Sequence, residues 1–447
     1  MSKSAYLQLA DAVAAEIADG RLSPGHRLPP QRDFAYDRKI AASTASRVYA
    51  ELMRRGLVVG EVGRGTFVAD DRISADGLLC EPRGIRVDLE FNYPVLPTQG
   101  ALVAKSLAGL EQAAALDIAL RPATSIGTPA LRNTASAYLS QNGWSPAADH
   151  LVFTGNGRQS IAAALAAMVP HGGRCGVEAL TYPFIKVIAA QMGVCVVPLA
   201  MDEGGVRPDA IERAHREANL AALYIQPAIH NPLGVTMNSA RRAELLKVAD
   251  RLNLPIIEDN VYGFLDDFPP LAALAPDRCI VIDSLSKKVA PGLTLGFIVA
   301  PPRPRESVTT AVRSGGWTAS GFAFAAAQRM MADGTAAELA RLKRQDARAR
   351  QKLAADRLSG FEIRGNEKCY HLWLTLPPHW RSQSFVAAAA RRDIALTPST
   401  TFAATQGHAP NAVRLALAAP TMDQLDLALQ TLAALLESRE DESDATE

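Results

Sequence analysis

Ser284-Leu285-Ser286-Lys287 follows an apolar, strand-like run from Cys279 to Asp283, and Glu258-Asp259-Asn260-Val261-Tyr262 closes a second run that begins at Pro255. An amine and a carboxylate at the ends of neighbouring strands are the two groups a pyridine aldehyde needs. The aldehyde condenses with a lysine, and the ring nitrogen stays protonated beside a carboxylate. Two further segments supply the remaining needs. Asn231-Pro232-Leu233-Gly234 follows the run Ala222 to Gln226 and offers a donor for a ring oxygen. Gly155-Asn156-Gly157-Arg158-Gln159 follows Leu151 to Thr154 and opens an alanine-rich helix, where free backbone N–H groups suit a phosphate. Together these segments meet the requirements of pyridoxal 5'-phosphate. Lys288 is a competing amine; because the Ser-x-Ser-Lys frame ends at Lys287, Lys288 is read as solvated. The eight histidines form no ligand-spaced cluster, so no metal site is expected, and His230 is read as a packing residue or a support behind the site, not a base.

These residues need a scaffold of strands. Seven apolar runs alternate with helical stretches: Leu151 to Thr154, Arg174 to Glu178, Cys195 to Leu199, Ala222 to Gln226, Pro255 to Asp259, Cys279 to Asp283 and Leu295 to Ala300. The alternation predicts an α/β architecture, a mainly parallel sheet covered by helices on both faces. Ligands of such sheets sit beyond the carboxyl ends of the strands, where the motifs fall. Long helices after about residue 320, with strand candidates at Tyr370 to Leu376 and Ala412 to Leu417, predict a smaller C-terminal α+β lobe. The acidic stretch 436–447 is expected to be disordered.

The first seventy residues follow another pattern. Tyr6, Leu9, Val13 and Ile17 mark an amphipathic helix, a short helix is expected near Gln31 to Tyr36, and a third begins near Ser43, whose hydroxyl is a candidate cap. Leu57-Val58-Val59 and Thr66-Phe67-Val68, joined by Gly60 to Gly65, read as a hairpin. Three helices and a hairpin make a winged helix-turn-helix over 1–70. Ser43, Thr44, Ser46 and Arg47 start the third helix, and Arg64 sits at the wing tip; all are candidate DNA contacts. Residues 1–70 hold ten basic and eight acidic side chains, and the whole chain of 447 residues carries a net charge of only +1. Any DNA contact must therefore come from local placement. Residues 71–88 lack periodicity and read as a linker.

Leu28-Pro29-Pro30-Gln31-Arg32-Asp33-Phe34-Ala35, Thr44 to Leu52 and Gly63-Arg64-Gly65-Thr66-Phe67-Val68 resemble the GntR-family DNA-binding domain, which adds Arg32 to the candidate contacts. Residues 89–435 resemble the fold type I pyridoxal phosphate enzymes, specifically the class I and II aminotransferases. That resemblance implies that Lys287 is the internal aldimine lysine, Asp259 pairs with the pyridinium nitrogen, Asn231 and Tyr262 bond the ring oxygen, and Tyr182 stacks on the ring. It also implies a phosphate cradle of Gly157, Arg158, Gln159 and Ser284, and an Arg414 grip on a substrate or effector carboxylate, since a guanidinium binds a carboxylate through two parallel hydrogen bonds. Two positions depart from the family. Thr294 stands where an arginine contacts the phosphate, and Pro122-Ala123 where a Tyr-Gly pair reaches the neighbouring subunit's cofactor. One missing charge-assisted hydrogen bond weakens phosphate binding by about 1.5 to 3 kcal/mol, or about one to two powers of ten in affinity.

As a whole the chain resembles the MocR subfamily of transcription regulators. The resemblance implies a homodimer that binds promoter DNA and senses an amino compound, or pyridoxal phosphate itself, through aldimine chemistry at Lys287. The alternative is an active aminotransferase with an accessory DNA-binding domain. Five scattered cysteines, no signal-like N-terminus and no apolar run of membrane-spanning length point to a cytoplasmic protein without a membrane partner.

Overall fold

The computed structural model describes residues 5–19, 21–23, 25–54, 57–61, 65–68, 87–405 and 409–438. Arg64, most of the 71–88 stretch and residues 439–447 lie outside these. The N-terminal module has helices Ala5–Ala18, Gln31–Asp37 and Ala42–Arg54 and an antiparallel strand pair, Val58–Glu61 with Gly65–Val68. Ala10, Val13, Phe34, Val48, Tyr49 and Leu52 form its core. Tyr49 donates to the Pro29 carbonyl at 2.5 Å and meets Phe34 edge-on, fixing the third helix against the start of the second.

The third helix starts one residue earlier than expected. The Ala41 carbonyl accepts from Thr44 and Ala45, so Ser43 lies inside the first turn and is not the cap. Ser43, Ser46 and Arg47 are exposed and Thr44 half-buried, so these four do lie at the accessible start of the helix. Arg32 is exposed beside Asp33. Arg381 of the C-terminal lobe reaches the module: it donates to the Gly25 carbonyl at 3.2 Å and lies 3.9 Å from the Phe67 ring.

The seven expected strands form one sheet, ordered Leu151–Thr154, Gly296–Val299, Cys279–Ser284, Ile256–Asp259, Ala222–Ile225, Arg174–Glu178, Cys195–Leu199. All pairs are parallel except those of Gly296–Val299, which runs antiparallel to both neighbours. The central strands Ala222–Ile225, Ile256–Asp259 and Cys279–Ser284 are buried along their length, which is why each reads as a mainly apolar run with any acids towards the carboxyl end. From Arg174–Glu178 the chain steps outward to Cys195–Leu199, then returns to Ala222–Ile225 on the other side. That reversal opens a crevice beyond the carboxyl ends of these strands.

The smaller lobe is an antiparallel sheet, Ile363–Gly365, His371–Thr375, Ala412–Ala416 and Thr397–Pro398, with helices Ser382–Ala390 and Met422–Glu437. Thr421 and Gln424 form a reciprocal cap on the last helix, and Leu435 and Leu436 are buried. Residues 436–438 are therefore ordered, contrary to the sequence reading, because apolar burial outweighs the acidic composition that follows. Val87–Asp88 pairs in parallel with Ile394–Ala395, so the chain enters the lobe inside the stretch read as linker.

Candidate active site

Lys287 lies on the four-residue helix Leu285–Lys288, whose start is capped by Ser284 Oγ accepting from the Ser286 amide. Its amine points into the crevice, donates to the Asn92 carbonyl at 2.6 Å, and sits 3.6 Å from the Tyr93 ring centroid. Burial, reinforced by the cations Arg414, Arg158 and Lys343, holds its pKa well below the usual lysine range. The shift favours the neutral amine over the ammonium relative to a free lysine, and the neutral amine is the nucleophile an aldehyde requires. The buried Lys343 holds the local backbone by donating to the carbonyls of Lys287, at 3.2 Å, and Val289, at 2.5 Å.

Asp259 ends the neighbouring strand. Tyr224 donates to its Oδ2 at 2.5 Å and the Val261 amide to its Oδ1 at 3.1 Å. Burial pushes the carboxyl up to about 6, and the two hydrogen bonds oppose that push. A buried carboxyl at the strand end, close enough to Lys287 to act on its charge, is a ready partner for a cationic ring nitrogen.

Arg414, on Ala412–Ala416, reaches the same crevice. It donates to Asn231 Oδ1 and to Thr397 Oγ1, each at 3.2 Å, and to the Glu90 carbonyl, while its buried Nε has no partner among the described residues. Its direct partners are neutral, so its charge remains available to a carboxylate. Tyr262 is buried beside Lys287, its Oη accepting from Asn92 Nδ2 at 2.9 Å.

The residues expected to cradle a phosphate gather at the start of helix Gly157–Met168. The Asn156 side chain caps it by accepting from the Gln159 amide at 3.1 Å. A Cβ on Gly157 would lie 3.2 Å from Ser284 Oγ, so glycine is what lets that hydroxyl approach the helix start. Arg158 donates to Tyr182 Oη at 3.2 Å and lies 3.5 Å from the Phe184 ring, and Gln159 Oε1 is buried without a partner among the described residues. Thr294 holds Ser286, Oγ to Oγ, at 2.8 Å, so the position lacks a charge but not a bond. Amine, carboxylate, phenol, amide and an anion nest converge as pyridoxal phosphate requires, and the unpartnered Arg414 Nε fits an incoming carboxylate.

The structure thus brings together Lys287, Asp259, Asn231, Tyr262, Tyr182, Ser284, Gly157, Arg158, Gln159 and Arg414. Arg32, Ser43, Thr44, Ser46 and Arg47 lie apart, on the N-terminal module. Lys288 is corrected: it is buried and forms a 2.5 Å ion pair with Asp283 instead of facing solvent. Sequence reasoning missed Asn92, Tyr93, Tyr224 and His371. A phenol inside the otherwise apolar Ala222–Ile225 run was a usable signal for Tyr224. His230 is buried, its ring near Glu178 and its carbonyl facing His371, as a packing residue should be. Among the described residues no group of three or more metal-ligating side chains occurs, and no helix is long and apolar enough to cross a membrane.

Residues 96–432 match the family "Aminotransferase class I and II", and residues 5–68 match "Bacterial regulatory proteins, gntR family". The Bacillus subtilis HTH-type transcriptional regulator YdeF is 29% identical, over 97% of this chain and 95% of that protein. The probable rhizopine catabolism regulatory protein MocR of Rhizobium meliloti is 26% identical, over 91% and 85%. The pyridoxine biosynthesis regulator PdxR of Corynebacterium glutamicum is 26% identical, over 68% and 67%. Among solved structures, the α-aminoadipate aminotransferase LysN of Thermus thermophilus superposes with a TM-score of 0.72 at 21% identity, over 83% of this chain and 95% of that one. An archaeal alanine:glyoxylate aminotransferase gives 0.71 at 23%, over 81% and 93%. Most of the chain therefore belongs to the class I and II aminotransferase family, and with a GntR-family DNA-binding domain ahead of it the protein has the organisation of the MocR-type transcription regulators.

Proposed function

We propose that this regulator holds pyridoxal phosphate in the crevice, that an α-amino acid or related amine enters beside it, and that their arrival changes how two DNA-reading modules of a homodimer are held at a bacterial promoter in the cytoplasm. One observation carries the reading. Lys287 and Arg414 both donate to main-chain carbonyls of one short segment, at Asn92 and Glu90, and that segment leads back through Val87 to the DNA-reading module. A ligand that engages the amine and the guanidinium competes with the Asn92 bond and loads the guanidinium that holds Glu90. The energy difference between filled and empty pocket is then felt by the chain that ties pocket to reader.

When bound, pyridoxal phosphate supplies an aldehyde that condenses with amines and a ring that accepts electrons. Lys287 offers the neutral amine, Asp259 holds the ring nitrogen, Asn231 and Tyr262 face the ring oxygen, and Tyr182 covers the ring. Ser284, the Gly157 amide region, Arg158 and Gln159 take the phosphate, and Arg414 takes the carboxylate. The depressed Lys287 amine also suits proton transfer, which favours a second reading, amino-group transfer. Steady-state turnover with a panel of keto acids would replace the regulator-only reading. The regulatory reading is tested by titrating candidate amino acids against both the visible absorbance of the loaded protein and its binding to promoter DNA. Shared midpoints are expected; unrelated midpoints would separate pocket from promoter.

Asp259 gives the pocket a pH dependence. Below about pH 6 the carboxyl is protonated in the empty pocket and must lose that proton to hold a pyridinium. Cofactor affinity is therefore expected to fall about tenfold per pH unit below that point and to level off above it. Tyr224→Phe removes a bond that lowers the Asp259 pKa, so the break should move to higher pH in a binding titration. The cofactor's own ionisations are common to both proteins, and an unmoved break would remove Asp259 as the linked group.

At the other end of the chain, Arg47→Ala is expected to weaken promoter binding by about 1 to 3 kcal/mol in a mobility-shift assay at fixed salt. Unchanged affinity would withdraw the assignment of the reading helix.

A further inference from the structure

We propose that Asn92 is a positioning residue for Tyr262: its side-chain amide orients the phenol so that the Tyr262 O–H is delivered into the pocket, as a donor to the ring oxygen of a 3-oxidopyridine ligand. The proposal rests on the cofactor reading above and adds a residue that neither the motifs nor the family resemblance singled out.

His371 is fully buried; burial first, and then Arg414, bring its pKa down to about 3, so the ring is neutral and carries one N–H. Nε2 lies 3.0 Å from the His230 carbonyl, which can only accept. The proton is therefore on Nε2, and Nδ1 is an acceptor. Asn92 faces Nδ1 at 3.2 Å, and only its NH2 end can serve an acceptor, which fixes the amide orientation chemically. The Cys369 thiol, also 3.2 Å from Nδ1, is a second donor of the same sense. The other N–H of that NH2 meets Tyr262 Oη at 2.9 Å. Tyr262 thus accepts from Asn92, and its own proton has to point away from Asn92, towards the open crevice beside Lys287. The main chain of the same residue holds the Lys287 amine through its carbonyl, so Asn92 contacts both Lys287 and Tyr262.

A donor aimed at the ring oxygen favours its anionic form, so losing the aim raises the pH at which the bound ligand deprotonates. Pyridoxal phosphate is added to full-length wild type, Asn92→Leu, Tyr262→Phe and the double variant, and the pH midpoint of the visible absorbance change is read for each. Asn92→Leu is expected to raise the midpoint by about half to one pH unit, the equivalent of one neutral hydrogen bond. Tyr262→Phe should raise it at least as much, and Asn92→Leu should add nothing in the Tyr262→Phe background. No shift, or an equal shift with and without the phenol, overturns the proposal. Should Asn92→Leu fail to fold, nitrogen-15 histidine spectra of the ligand-free wild type must show His371 protonated at Nε2 alone; the opposite tautomer overturns it as well. A wild type with no visible band sinks the cofactor reading and the proposal together, whereas a band with unshifted variants sinks the proposal alone.

Discussion

Lys287→Ala is expected to abolish the visible absorbance of protein-bound pyridoxal phosphate and to leave any residual cofactor exchangeable on gel filtration. In the proposed function the amine is the covalent anchor, so its loss should exceed that of a single charge-assisted hydrogen bond, which alone is worth about one to two powers of ten in affinity. The fold should survive. The amine bonds the carbonyl of the buried Asn92, and burial disfavours its charged form, so removing the side chain breaks no ion pair. Promoter binding should persist while its response to amines disappears. A variant that keeps the band would move the anchor to another lysine; one that loses both band and fold would show that the amine is structural.

Lys288→Ala is expected to do the opposite, leaving chemistry at Lys287 intact in whatever fraction folds and lowering stability by about 3 to 5 kcal/mol. Lys288 and Asp283 are both buried and pair at 2.5 Å, and burial raises the Asp283 pKa while Lys288 opposes the shift. Removing the lysine strands a carboxyl in an apolar layer. Asp283→Ala should cost a similar amount for the mirror reason, and the double variant Asp283→Leu with Lys288→Met should recover most of the loss, because it removes both desolvation penalties. Denaturant unfolding of the three proteins measures this. Single variants within about 1 kcal/mol of wild type would mean that the pair is hydrated in solution.

These two neighbours show what the sequence could and could not display. Strands buried on both faces read as apolar runs, so their carboxyl ends, and with them Lys287, Asp259 and Ser284, were legible. Successive helical residues point about 100° apart, so Lys287 and Lys288 face different surroundings. Nothing local revealed that Asp283 waits for Lys288 beneath the sheet. Asn92 was illegible for a different reason. Its partners Tyr262 and His371 lie 170 and 279 residues away in sequence, and its own segment has no periodicity to announce burial. The helix cap at Ser43 was misjudged because a backbone carbonyl did the work expected of a hydroxyl. The tail boundary was misjudged because Leu435 and Leu436 still had a core to enter.

The hydroxyl pair between Ser286 and Thr294 bears on what the pocket can report. A cradle with a further arginine would approach saturation at very low cofactor concentrations, and a site that never empties responds to nothing. With a neutral threonine there, the range over which occupancy varies moves upward in concentration by about the same one to two powers of ten that a lost charged bond implies. In the proposed sensing role, the threonine that looks like damage to an enzyme becomes a choice of scale.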